Sequence, residues 1–331
     1  MQNILIVRLT ALGDIIHSSV VLEFIKNKFP NISIDWLVEE SFAKILENNP
    51  NIRNIHSINL KSLKKDRSFR NIKRLFFQLK DISKQNYDLV LDMQGLIKSA
   101  IVSRIISKQI HGYSYNSAKE GIASFLYKTH TFSDYSENKI WRNIKLINDS
   151  LNLNISKSDI ENKKPHLHFQ DRSFSAINKI VFVVGSSMPQ KNYPKEKFLE
   201  LAQNIKQEIS VIWGNQAEKD IAEYLAQNSQ YISIAPKMNL DQLKFFISSA
   251  ILVIGNDTGP THLAWAMNTP AIILFGLTPV EQSFKTSTNL IVKSSSAVNH
   301  RKIDKTDFSI QDIEVSHILT LTMILKKISA K

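Results

Sequence analysis

The chain has 331 residues, which at ~150 residues per domain predicts two domains, each large enough for its own core. With 43% hydrophobic and 22% charged residues it is neither disordered nor fibrous, and the absence of cysteine excludes disulfides, thiolate nucleophiles and cysteine-zinc sites. The formal charge of +12 attracts polyanions of any kind, whether nucleic acid, nucleotides or an anionic membrane surface.

The opening segment MQNILIVRLTALGD has an apolar run broken by Arg8 and Asp14, so it reads as neither a signal peptide nor a membrane span. No later run is long enough to cross a bilayer, and the expected location is the cytoplasm. Strands are predicted at 4–8, 32–38, 55–58 and 89–92, with amphipathic helical stretches between them. Within 61–80 lie eight basic residues and one acid, Asp66, while Phe69, Ile72, Phe76 and Leu79 recur at helical spacing. That pattern predicts a helix docked through those four residues, with a basic face left over.

A polar stretch at 156–164 is the best linker. Beyond it, strands are predicted at 180–184, 210–213, 231–234, 252–255 and 271–275, separated by helices such as 196–206 and 240–249. A final periodic segment over 310–327 reads as a helix that could close over either domain. Strand and helix alternating throughout predict an α/β fold of two doubly wound, Rossmann-like domains facing a cleft. The divisions expected are 1–165 and 175–310, with 311–331 as a terminal helix packing back on the first domain. Open parallel sheets bind ligands beyond the carboxyl ends of their strands, so the residues after each strand carry the functional candidates.

Several chemistries are excluded by missing motifs. None of the nine glycines forms G-x-G and none precedes a lysine, which removes the dinucleotide fingerprint and the Walker A loop. H-E-x-x-H and G-x-S-x-G are also absent, against zinc proteases and serine hydrolases. Nucleic-acid binding has charge in its favour but no reader module, and no nucleic-acid partner is expected.

After the first strand, the loop 9–14 ends in Gly13-Asp14, with the next helix expected from about Ile15. Asp14 there either caps that helix or acts as general base for a hydroxyl nucleophile. The turn Gly255-Asn256-Asp257-Thr258-Gly259-Pro260-Thr261-His262 opens another helix. Its free N–H groups suit a diphosphate, whereas the alternative is an ordinary helix capped by Asp257 or Thr258 with His262 buried and satisfied. Ser186, Ser187 and Lys191 follow a buried strand as two hydroxyls and a cation for phosphate oxygens, or as surface residues. Glu218, one short loop after Trp213-Gly214, either holds ribose hydroxyls or is a solvated first-turn acid.

Taken together, Arg8-x5-Asp14, DWLVEE at 35–40, DMQGLIKSA at 92–100, KNYP at 191–194 and DTGPTHLA at 257–264 resemble the heptosyltransferases of lipopolysaccharide core synthesis. The VEE and QGLIKSA segments are most similar to the heptosyltransferase I branch. This resemblance implies a GT-B fold and inverting transfer of L-glycero-D-manno-heptose from ADP-heptose to the Kdo sugar of Kdo-lipid A. It implies no cofactor and no metal, and an acceptor met at the cytoplasmic face of the inner membrane, where the protein would associate peripherally.

Residue by residue, the resemblance gives Asp14 the role of catalytic base. Ser186, Ser187 and Lys191 would meet the donor phosphates, Glu218 the ribose and Met238 the adenine, with Asp257, Thr258, Gly259 and His262 forming the donor loop. Lys61, Lys64, Arg67, Lys98 and Lys119 fall on the basic acceptor side. Lys119 stands where the family commonly has arginine, which removes bidentate phosphate binding there. Two rival classes remain at this stage: a polyanion-binding protein that uses only the basic helix, and a glycosyltransferase with another nucleotide donor.

Overall fold

The computed structural model describes residues 1–66 and 68–329, in two compact units, Met1–His168 and Phe169–Lys331. In the first unit β1 (Asn3–Val7), β2 (Ser33–Glu39), β3 (Asn54–Ile58), β4 (Leu89–Asp92), β5 (Ile110–Tyr113) and β6 (Thr129–Thr131) form one parallel sheet. Its order is β3-β2-β1-β4-β5-β6. The Ile-Leu-Ile-Val run of β1 is fully buried, as a central strand covered on both faces requires. The helices are α1 (Leu12–Ser18), α2 (Val21–Lys28), α3 (Leu60–Lys65), α4 (Phe69–Ser83), α5 (Ile97–Ile106), α6 (Lys139–Leu151) and α7 (Lys157–Glu161).

The second unit repeats the plan. Strands β7 (Ile180–Val183), β8 (Ile209–Ile212), β9 (Ile232–Ile234), β10 (Leu252–Asn256), β11 (Ala271–Phe275) and β12 (Asn289–Lys293) run in the order β12-β11-β10-β7-β8-β9. They alternate with α8 (Lys195–Ile205), α9 (Gln216–Gln227), α10 (Leu240–Ser248) and α11 (Gly259–Ala266), and α12 (Val315–Ser329) closes the chain. Each sheet reverses its strand order beside its first strand, at β1/β4 and at β7/β10. Such switch points leave a crevice beyond the carboxyl ends of the two central strands.

The doubly wound α/β architecture agrees with the sequence reading, but several local expectations do not. β5, β6 and β12 were not foreseen, because IHGY, THT and NLIVK are short and carry polar residues at or near a sheet edge. The polar stretch 156–164 contains a capped helix, α7, with the Ser156 hydroxyl accepting from Asp159 N at 3.3 Å. It therefore belongs to the first unit rather than to a plain linker. The terminal helix packs on α8, β11 and β12, with Ile318 and Leu325 in the core of the second unit. A stripe of apolar residues on α12 finds its complement there.

The largest correction concerns α4. Its buried residues are Leu79 and Ile82, with Leu75 partly buried behind them, whereas Phe69 is 80% exposed and Ile72 and Phe76 also face solvent. The helix is thus rotated from the expected docking, and a narrow stripe at 75, 79 and 82 meets the core.

Candidate functional site

In the first unit Asp14 follows β1, one of the two strands at the switch point. Helix α1 begins at Leu12, so Asp14 lies within its first turn rather than ahead of it, and its Oδ2 accepts from Ala11 N at 3.1 Å. The same oxygen pairs with Arg8 Nη2 at 3.0 Å, while Oδ1 accepts from the Lys139 ammonium, which the amino end of α6 supplies. About a quarter of the Asp14 side chain remains open to solvent. Burial alone would raise its pKa, but Lys139 and Arg8 outweigh that and hold the carboxyl far below the usual range. Asp14 is therefore ionised, close to a helix amino end and free of the proton that a base must lack.

The loops beside it are tied together by buried polar groups. Gln94, just after β4, accepts from Leu9 N at 2.8 Å and donates to the Thr10 hydroxyl at 2.9 Å, which joins the β1 and β4 loops. Asp92 accepts from Gln94 N at 2.9 Å and from the Tyr127 hydroxyl at 2.8 Å, and burial raises its pKa. The conspicuous DMQG segment is in this respect a loop-holding device. Asp35 likewise accepts from Nε and Nη2 of Arg53 and from the Tyr87 hydroxyl, and Glu39 accepts from the amides of Leu60 and Lys61 at the start of α3.

Of the basic acceptor-side candidates, Lys61 is the second residue of α3 and donates to the Ser41 hydroxyl at 3.0 Å, and Lys64 lies on the same helix. Arg67 lies outside the described residues. Lys98 and Lys119 are both exposed, and their segments meet where Glu120 accepts from Ile97 N at 2.7 Å. All four described lysines thus follow carboxyl ends of strands. Beyond β3 a cavity of about 390 Å³ is lined by polar groups that include Glu40, Asn59, Ser62 and Arg74.

In the second unit Asn256, the last residue of β10, accepts from Tyr193 N at 3.0 Å and donates to Val184 O at 2.8 Å. That single buried amide draws the β7 and β10 loops together. It brings Lys191 Nζ to 2.6 Å from Asp257 Oδ2, with both side chains mostly buried. Asp257 also accepts from the Thr278 hydroxyl and meets His262 Nε2, each at 2.8 Å. Burial works against this carboxylate, yet Lys191 and the His262 hydrogen bond keep its pKa far below the ordinary value.

Thr258 is the N-cap of α11 but its side chain makes no capping bond, and Gly259-Pro260 open the helix. The Thr261 hydroxyl donates instead to Asn256 O at 2.7 Å. Cation and helix amino end thus sit at one place, a combination suited to phosphate oxygens. Glu218 folds back over its own loop, accepting from Gly214 N at 2.6 Å and from Asn215 Nδ2 at 2.8 Å. Its carboxylate lies against Gly185, where an added Cβ would come within 2.2 Å of Oε1. Glu218 is therefore a neighbour of the β7 loop that carries Ser186, whose hydroxyl turns to Met188 O at 2.7 Å, and the exposed Ser187. Met238 is half-buried in the loop after β9, whose Ala235 O accepts from the Trp213 indole at 2.8 Å.

Lys139 and Thr278 were missed by the sequence reading. Lys139 is 125 residues from Asp14 and carries no local signal. Thr278 follows β11 by a few residues, so the rule that directs attention to strand ends would have found it.

Comparison with known proteins gives a consistent result. The profile of glycosyltransferase family 9 (heptosyltransferase) matches residues 76–313. Lipopolysaccharide heptosyltransferase 1 of Campylobacter coli is 39% identical, covering 97% of this chain and 98% of its own length. The Escherichia coli K12 protein of the same name is 28% identical, covering 84% and 88%. Among solved structures, E. coli heptosyltransferase WaaC with ADP superposes with a TM-score of 0.82 at 22% identity, covering 98% of this chain and all of that one. The fold is accordingly of the GT-B type, and the chain is a glycosyltransferase that belongs to family 9, the heptosyltransferases.

Proposed function

We propose that this enzyme transfers L-glycero-D-manno-heptose from ADP-heptose to the Kdo sugar of Kdo-lipid A, with inversion, at the cytoplasmic face of the inner membrane. The observation that carries this reading is the clustering of Lys191, Asp257, His262 and the amino end of α11 beyond β7 and β10. Similarity to lipopolysaccharide heptosyltransferase 1 over nearly the whole of both chains supports the sugar and the acceptor. The solved E. coli WaaC with ADP-2-deoxy-2-fluoro heptose, which shares the fold, supports the donor.

In this mechanism the Kdo hydroxyl attacks the anomeric carbon of heptose as its proton passes to Asp14, and the bond to the diphosphate oxygen breaks on the opposite side. Lys191 and the first N–H groups of α11 take up charge on the departing ADP. Asp257 holds Lys191 and His262 in place through its two carboxylate oxygens, while Ser186 and Ser187 offer hydroxyls to the phosphates. Glu218 accepts from the ribose hydroxyls, and Met238 lies against adenine. No metal is called for, since a lysine and a helix amino end supply the positive charge.

On the acceptor side, Lys61, Lys64, Arg67, Lys98 and Lys119 meet phosphate and carboxylate groups. Kdo itself is an acid, and its carboxylate competes with Asp14 for Lys139. As that ammonium is drawn away, the basicity of Asp14 rises when the proton must be taken. The domain of residues 1–165 would hold the acceptor and that of 175–310 the donor.

Calorimetry with ADP and UDP, combined with mass analysis of product from ADP-heptose and Kdo-lipid A, tests the reading. It predicts tighter ADP binding and a product heavier by one heptose. Tighter UDP binding, or no product, would overturn it.

A further inference from the structure

Helices α4 and α5 and the 3₁₀ turn Gly121–Leu126 lie side by side and share one core through Leu79, Ile82, Ala100, Val102 and Ala123. The outer surface of this layer is unusually apolar. Phe69 and Phe125 are 80% and 76% exposed, and Phe76, Phe77, Ile101 and Ile122 are also open to solvent. Scattered surface apolar residues need no explanation, but six large ones on three adjoining elements form a patch of the kind that marks an interaction site.

Charge narrows the choice of partner. α4 carries Arg70, Lys73, Arg74 and Lys80 against one acid, Asp81, and all of these are exposed. α5 adds Lys98 and Arg104 and no acid. Lys73 lies over the Phe77 ring at 5.8 Å and Lys80 over the Phe76 ring at 5.6 Å, so cation and aromatic alternate on one surface. Cores of protein interfaces are depleted in lysine, whereas helices that lie in a bilayer interface combine lysine and arginine with phenylalanine and leucine.

We propose that the outer face of α4, α5 and the 121–126 turn is the surface by which this protein docks on an anionic lipid bilayer. The aromatic and aliphatic side chains enter the headgroup boundary while the flanking lysines and arginines pair with lipid phosphates. The proposal rests on the reading that the acceptor is a lipid, and it names the surface that brings the enzyme to it. Continuity supports it: α5, which carries the exposed Ile101, also carries Lys98 of the proposed acceptor side. Among the described residues no helix is long and apolar enough to cross a membrane, so attachment through such a surface needs no spanning segment.

The test is sedimentation of the full chain with vesicles of phosphatidylcholine alone and with phosphatidylglycerol added. The wild type is expected to sediment with the anionic vesicles only, less so in high salt. Phe69→Ser with Phe77→Ser, Ile122→Ser with Phe125→Ser, and Lys73→Glu with Lys80→Glu should each weaken that binding at least ~tenfold. The exposed positions leave melting temperatures unchanged. Wild type remaining in the supernatant, or variants that bind as wild type does, would overturn the proposal. So would a dimer that Phe69→Ser with Phe77→Ser converts to monomer without altering vesicle binding, which would make the face an interface between copies. Transfer to a deacylated, soluble Kdo acceptor separates this from the functional reading. The two apolar double variants should keep the wild-type rate there, and a wild type inactive on that acceptor would count against the function and not against the docking surface.

Discussion

The Lys191–Asp257 pair offers a quantitative test of the donor site, because its two side chains are only 13% and 6% exposed and 2.6 Å apart. Lys191→Met leaves the Asp257 carboxylate buried with His262 and Thr278 as partners. Removing one member of a buried pair costs ~3–5 kcal/mol, and the two surviving hydrogen bonds bring the cost below that range, to ~2–3 kcal/mol. At ~2–4 °C per kcal/mol for a domain of this size, the transition of the second unit should fall by roughly 5–10 °C. Asp257→Asn strands the ammonium instead, while the double variant removes both charges and should recover most of the loss, giving a coupling of ~1–3 kcal/mol. Differential scanning calorimetry of the four proteins reads this directly. Because Asp257 is held below its ordinary 3.8, its contribution is complete above that value and is lost as the pH falls below it, so the coupling should fade in acid. ADP affinity should fall roughly ten- to hundredfold in Lys191→Met, the worth of a charge-assisted hydrogen bond. Single variants that melt with the wild type and bind ADP normally would refute the reasoning.

Two further expectations follow from geometry. Lys139→Met removes the leading cation beside Asp14 and leaves only Arg8 and Ala11 N to oppose burial, so the acid limb of the activity profile should move up by ~1–3 pH units, a shift read from kcat against pH; an unmoved limb would deny Lys139 its influence. Gly185→Ala puts a methyl group where the Glu218 carboxylate lies, so that side chain must swing away from Gly214 N; ADP affinity should drop as it does in Glu218→Gln, with melting temperature little changed, and normal affinity in both would remove Glu218 from the ribose site.

Much of this molecule was legible because burial leaves a plain mark on sequence. The runs that became β1, β10 and β11 are continuous apolar segments with no polar alternation, as strands covered on both faces must be. Asp14, Lys191, Glu218 and Asp257 stood out as candidates because each follows a predicted strand, where a doubly wound sheet puts its ligands. Rotation of α4 was not legible. Residues 69, 72 and 76 and residues 75, 79 and 82 satisfy the helical period equally well, and only packing decides which stripe goes in. Edge strands β6 and β12 lack a buried face large enough to imprint a pattern. The Asp14–Lys139 contact joins elements 125 residues apart, and no local rule reaches that far.

The central claim is that Asp14 takes the proton from the attacking hydroxyl, and Asp14→Asn measures it most directly. The amide can still accept from Ala11 N, so the first turn of α1 keeps its hydrogen bond, but Arg8 and Lys139 lose their counter-ion, so melting temperature should fall by several degrees while the protein stays folded. ADP-heptose affinity should survive, because the donor groups lie in the other unit. With Kdo-lipid A as acceptor, kcat should fall by ~10²–10⁴, the usual worth of a general base. A folded Asp14→Asn protein with nearly normal kcat would contradict the account.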